Sequence, residues 1–123
     1  MIKVVGQATQ KNGTTPEWTL TGICTAGERS GTGTYKITCS KNNNNQKIAV
    51  LASAERGGIG TERLTAEWNN NVLTIKNYTG QASTTLGDCW LTVTLIEDLT
   101  LENTMLKYGE EENRLIVKDE GTE

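Results

Sequence analysis

The 123-residue chain contains no histidine, which removes imidazole-activated serine or cysteine nucleophiles and imidazole-ligated metal sites together. Carboxylates are then the one chemical route left open, as a glycosidase-type pair. Glu62 and Glu67 flank a single predicted strand, but their odd separation puts them on opposite faces. Asp88, Glu97 and Asp98 fall at predicted strand ends, where solvated carboxylates are ordinary. The run Gly27-Glu28-Arg29-Ser30-Gly31-Thr32-Gly33-Thr34 is glycine-rich, yet it lacks the phosphate-loop Lys and feeds a strand. Without a helix N-terminus the phosphate cradle is missing, and Gly58-Ile59-Gly60 fails as a dinucleotide site for the same reason. We therefore expect a non-enzyme, with no catalytic residues, no metal and no cofactor.

Cys24, Cys39 and Cys89 are an odd set with no zinc-site or CxxC spacing. In register, Cys24 shares a face with Trp18 and Leu20, Cys39 with Tyr35 and Ile37, and Cys89 with Leu91, Val93 and Leu95. All three read as small buried apolar residues. A Cys24–Cys39 or Cys39–Cys89 bridge requires neighbouring strands to bring the sulfurs together, and a reducing compartment disfavours either.

The outward positions hold the binding features. Trp18 and Trp68 point inward, the latter with Leu64 and Ala66. Trp90 instead shares a face with Thr92, Thr94 and Ile96, and a large outward aromatic on a Thr-lined strand calls for a cover. That cover is the chain's own N-terminal strand or tail, another subunit, or a sugar stacked on the ring. Leu51 and Ile23 also fall on non-core faces, which favours an extended interface, and Tyr78 or Tyr108 could join Trp90 in a sugar site.

The elements that must position these residues are strands. Short Thr-rich segments alternate apolar and polar residues and are separated by Gly and Asn clusters, which predicts an all-β, antiparallel sandwich, jelly-roll-like or Ig-like, of about seven strands. The predicted strands are residues 2–9, 17–25, 34–40, 47–53, 63–68, 72–78 and 89–96. The segment 47–53 is apolar on both faces, as a central strand should be. Residues 26–31 read as a loop, 42–45 as a polar hinge, and 79–87 as another polar loop. Asn69-Asn70-Asn71 closes the clearest hairpin. The sandwich spans 1–96; from 97 to 123 the chain is charged and glycine-poor, which predicts an acidic hairpin or extended arm, or two helical turns at 101–108.

A formal net charge of −3 without a basic cluster argues against nucleic-acid binding. No stretch approaches the ~20 apolar residues of a membrane span, and no signal peptide follows Met1, so we expect synthesis in a cytoplasm without membrane insertion.

The run Gly31-Thr32-Gly33-Thr34-Tyr35-Lys36-Ile37-Thr38-Cys39 resembles the opening strand of the β-sandwich heads on bacteriophage tail and head fibres. Those heads follow Gly-x-Tyr-x-Val-x-Phe with a polar loop and an apolar strand, here Ile48 to Ser53. A hairpin like Leu73 to Asn77 and a last strand like Trp90 to Ile96 continue the resemblance, and C1q-like trimers share it. Cys39 stands where the family favours a bulky aromatic, and the tail extends past the usual last strand. The resemblance implies a non-enzymatic virion structural protein, a fibre head or capsid or tail decoration, made in the host cytoplasm. Its partners would be two further copies of the chain in a trimer, other virion proteins, and a host surface glycan. Trp90, Leu51 or the tail would lie at the contacts. The alternative is a monomeric Ig-like decoration domain or a carbohydrate-binding module using Trp90.

Overall fold

A computed structural model describes residues 2–55, 62–79 and 85–98. Nine strands are found among them: β1 (Ile2–Gln10), β2 (Thr19–Gly22), β3 (Cys24–Gly31), β4 (Thr34–Cys39), β5 (Ile48–Glu55), β6 (Glu62–Asn69), β7 (Val72–Thr79), β8 (Thr85–Leu86) and β9 (Trp90–Asp98). They form two antiparallel sheets packed face to face, ordered β2-β1-β9-β5 and β3-β4-β7-β6, with β8 beside β7. The expected all-β sandwich is therefore what the chain adopts.

Alternation builds the core. Leu91, Val93 and Leu95 of β9, with Ala8 and Ile48, supply one wall; Tyr35, Ile37 and Cys39 of β4, with Leu73 and Ile75 of β7, supply the other, and all are buried. Each sits two residues from the next on its strand, so one face of every strand turns inward. The β6–β7 hairpin turns at Asn70-Asn71, and Asn70 takes a φ of 56°, a left-handed conformation that asparagine tolerates.

Three predicted elements are corrected. Residues 26–31 are not a loop: they belong to β3, an edge strand paired with β4 and bulged at two points, between Cys24 and Ala26 and between Arg29 and Gly31. The glycine that suggested a turn serves a close approach instead, because a Cβ on Gly27 would lie 2.5 Å from the Trp18 ring. Residues 48–55 are not a central strand, since β5 pairs β9 alone and ends its sheet. Its outward apolar residues, Ala49 and Leu51, are exposed. The polar loop after residue 79 contains the short strand β8.

The chain changes sheet between β2 and β3. Gly22 turns with a φ of 62°, and the Ile23 amide donates to the Val5 carbonyl of β1 at 2.8 Å. The Ile23 carbonyl accepts from the Ser40 amide beyond β4 at 2.8 Å, so one residue is hydrogen-bonded to both sheets. The Asn-rich stretch after β4 is also built rather than loose. The Asn43 side chain donates to the Ile48 carbonyl at 3.1 Å and accepts from the Ile48 amide at 2.9 Å, while the Asn43 amide donates to the Asn70 carbonyl. The Gly58-Ile59-Gly60 run and the acidic segment from residue 99 onward lie outside the described residues.

Candidate functional site

The outward face of the β2-β1-β9-β5 sheet gathers most of the residues singled out above. Register places Val4, Ile96 and Ala49 in one cross-strand row. Gln7, Thr94 and Leu51 form the next row, extended by Thr21 of β2. Thr9, Thr92 and Ser53 follow, extended by Thr19, and Trp90 beside Glu55 ends the series. Leu51 is 56% exposed, Val4 55%, Ile2 70% and Trp90 38%, which are the large exposed apolar side chains among the described residues. Among the described residues, charge on this face lies at its margins: Glu55 and Asp98 end the strand rows, and Lys11 and Glu17 border the Trp90 end. The Gln7 amide nitrogen donates to the Thr94 hydroxyl at 3.0 Å, holding part of the polar rows together.

The opposite sheet presents a different surface. Its outward rows carry Glu28 opposite Lys36, Thr74 opposite Glu67, Lys76 opposite Thr65, and Arg63 opposite Tyr78. Charges of both signs are interspersed there, as on an ordinary solvated surface. The Arg63 guanidinium stands 5.7 Å from the centre of the Tyr78 ring, a cation–π contact. The two outward faces thus differ sharply in charge.

Trp90 and Ile96 therefore share one face, as their parity predicted, and Leu51, expected on a non-core face, joins them there. Tyr78 faces outward from the other sheet and is not brought to Trp90, so the described residues do not join these two rings in one sugar site. Ile23 is corrected: the change of sheet at Gly22 turns it toward the interior, where it is half-buried against the core. Tyr108 lies outside the described residues. At the Trp90 end, a depression of about 310 Å³ is lined by the indole with Gln10, Lys11, Ser53, Glu55 and Thr92. Gln10 is already committed there, donating to the Cys89 carbonyl at 2.9 Å and accepting from the Asn12 amide at 2.8 Å.

Two of the carboxylates considered for chemistry, Asp88 and Glu97, are occupied structurally. Asp88 accepts from Arg29 Nε and Nη2 at 3.0 Å each and from the Gly33 amide at 2.7 Å. Burial works to raise the Asp88 pKa, but the Arg29 guanidinium and the Gly33 amide outweigh it and hold the carboxyl below its ordinary value. Asp88 is thus ionised and fully engaged at neutral pH, the reverse of a proton donor. The Glu97 carboxylate is buried and bonded to Lys41 Nζ at 2.8 Å. Glu67 lies exposed on the charged sheet, and no group of three or more potential metal ligands occurs among the described residues.

Two features of this region were not read from sequence. The Tyr35 hydroxyl, buried in the core, donates to the Gly13 carbonyl at 2.7 Å and accepts from the Cys89 amide at 3.0 Å. Together with Asp88 it ties the β1–β2 loop, the β3–β4 turn and the start of β9 into one polar clasp. The only sequence signal was a tyrosine within an alternating strand, which gives its burial but not its partners. Comparison with protein-family models, with curated proteins and with solved structures returns no match.

Proposed function

We propose that this chain is a non-enzymatic structural subunit that works by self-assembly, of the bacteriophage virion-surface kind that its strand texture resembles. The observation that carries the reading is the contrast between the two outward faces. One is interspersed with charge; the other is nearly charge-free, lined by threonine, and studded with Val4, Leu51 and Trp90. Charge is depleted and aromatic side chains are enriched at the centres of protein interfaces. Three strands of eight or nine residues and one of four, about 4.8 Å apart, give each face on the order of 500 Å². Two copies covering such faces would bury roughly 1,000 Å², the lower bound of a specific interface. In a trimer this sheet of each copy would pack on a different surface of the next copy, closing the ring, and other virion proteins or a host glycan would meet the remaining surface.

Native mass by light scattering tests the proposal, with Leu51→Asp and Trp90→Asp alongside Thr74→Asp on the charged sheet. A trimer that dissociates with the first two and survives the third supports it. A wild-type monomer at high concentration overturns it.

A second reading, a carbohydrate-binding module, draws on the depression beside Trp90, where an indole stands next to Lys11, Glu55 and hydroxyl groups. It predicts glycan binding that Trp90→Ala abolishes without altering the mass.

A further inference from the structure

Cys24 and Cys39 are direct cross-strand partners in the β3–β4 pair, and both are buried thiols, 4% and 1% exposed. The hydrogen bonding around them defines the kind of pair they form. The Cys39 amide donates to the Asn71 carbonyl at 2.8 Å, and the Cys39 carbonyl accepts from the Asn71 side chain at 2.9 Å. Both backbone groups of Cys39 therefore point away from β3. One step outward, the Ser40 amide donates to the Ile23 carbonyl across the same strand pair at 2.8 Å. Cys24 opposite Cys39 is accordingly a non-hydrogen-bonded antiparallel pair, the narrow kind in which Cα atoms lie about 4.5 Å apart and side chains come closest. That separation falls inside the roughly 4.4–6.8 Å range over which a disulfide closes.

We propose that Cys24 and Cys39 are a built site for reversible disulfide formation, which pins the edge strand β3 to β4 under oxidising conditions. The oxidant is a small-molecule disulfide such as oxidised glutathione. The Cys24 thiolate attacks one sulfur of that disulfide, forming a mixed disulfide and releasing one glutathione thiolate. The Cys39 thiolate then attacks the Cys24 sulfur and displaces the second. Two protein thiols and one oxidised glutathione become one protein disulfide and two glutathione thiols, with two electrons passing to the glutathione. Cys24 attacks first because it lies on the edge strand β3 and is the more exposed of the two thiols, 4% against 1%. The hydrogen bond from Cys39 lowers the Cys24 pKa, against the opposing effect of burial, while that same bond and burial raise the pKa of Cys39. Cys89 is not a competitor, because it sits beside the Tyr35 hydroxyl, four residues and about 13 Å along β4 from Cys39. The inference is independent of the proposed function, since it needs only the β3–β4 register.

The test equilibrates the full chain in glutathione buffers of graded redox ratio, both as the folded protein and by refolding from denaturant in the same buffers. Acid quenching, alkylation and intact mass follow, then tryptic mapping without reduction. The expected product is lighter by two hydrogens, retains one alkylatable thiol, and joins the peptide spanning 12–29 to that spanning 37–41. Cys89→Ser should form the same bridge, and Cys24→Ser should form none. A product in which all three thiols persist at the most oxidised ratio by both routes overturns the proposal. So does accumulation of glutathione adducts alone, or a bridge that includes Cys89.

Discussion

Arg29 grips Asp88 with two nitrogens, Nε and Nη2, each 3.0 Å from a carboxylate oxygen, and so ties the edge strand β3 to the segment leading into β9. The Gly33 amide, buried in the turn between β3 and β4, donates to the same carboxylate at 2.7 Å. Asp88→Ala leaves that amide without its acceptor, and we expect a loss of about 1–3 kcal/mol in denaturant unfolding.

The acid limb of stability follows from the same carboxylate. Its folded pKa lies below the ordinary value of 3.8, so its contribution is complete above the unfolded pKa and disappears as pH falls through the folded pKa. Urea midpoints measured from pH 6 down to pH 2 should fall most steeply below about pH 4. In Asp88→Asn the fall should be shallower. An unchanged slope would mean that Asp88 is not among the groups driving acid unfolding.

Tyr35 governs the alkaline limb. Burial chiefly pushes its hydroxyl up to about 12 from 10.0, while the Cys89 amide pulls the other way. A raised acid pKa stabilises fully below pH 10 and is lost as pH rises from 10 through about 12, on the order of 2 kcal/mol in all. Absorbance near the tyrosinate band should therefore show one tyrosine titrating together with unfolding. Tyr35→Phe removes that coupling and, by orphaning the Cys89 amide and the Gly13 carbonyl, should cost about 2–4 kcal/mol at neutral pH.

Alternation made most of the fold legible. Val93 and Leu95 inward against Thr92 and Thr94 outward announce β9, and the same rule puts Trp90 with Ile96 on one face and Leu51 on a non-core face. What parity could not supply is where it breaks. The bulge at Val5 resets it within β1, and the turn at Gly22 resets it before Ile23, which parity alone puts on the wrong side. Gly27 looked like a turn because sequence cannot distinguish a glycine needed for positive φ from one needed beneath a tryptophan ring. Asn43 was lost in a run of four asparagines, although only it reaches both backbone groups of Ile48. Long-range hydrogen bonds of that kind leave no periodic signature.

The Gly22 corner is separately testable. A φ of 62° disfavours any side chain, and a Cβ there would lie 2.8 Å from the Gly6 Cα, backbone that cannot swing away. Gly22→Ala should cost at least about 2 kcal/mol. Gly31, by contrast, has nothing within 4 Å of an added Cβ, and Gly31→Ala should stay within about 0.5 kcal/mol of wild type. Equal losses at the two glycines would show that the corner is not strained by a side chain.

Closing Cys24 to Cys39 links a 15-residue span, for which chain-entropy arguments give about 3 kcal/mol. The oxidised protein should unfold at a correspondingly higher denaturant concentration, and Cys89→Ser should show the same gain. A gain in wild type that Cys89→Ser lacks would move the bridge elsewhere.

The salt dependence of assembly distinguishes which face is used. Contacts through the charge-poor sheet of β1, β2, β5 and β9 derive from apolar burial and hydroxyl pairing, which ions screen little. Contacts through the sheet carrying Glu28, Lys36, Glu67 and Lys76 would weaken as ionic strength rises and the screening length shrinks from about 10 Å at 0.1 M to about 3 Å at 1 M. The association constant, read by sedimentation between those salt concentrations, should change less than about threefold, because no opposite charges are brought together. Val4→Lys should weaken association at every salt concentration, since it places a charge in the apolar row with Ile96 and Ala49. A steep fall in association with salt, together with an unaffected Val4→Lys, would instead assign assembly to the charged sheet.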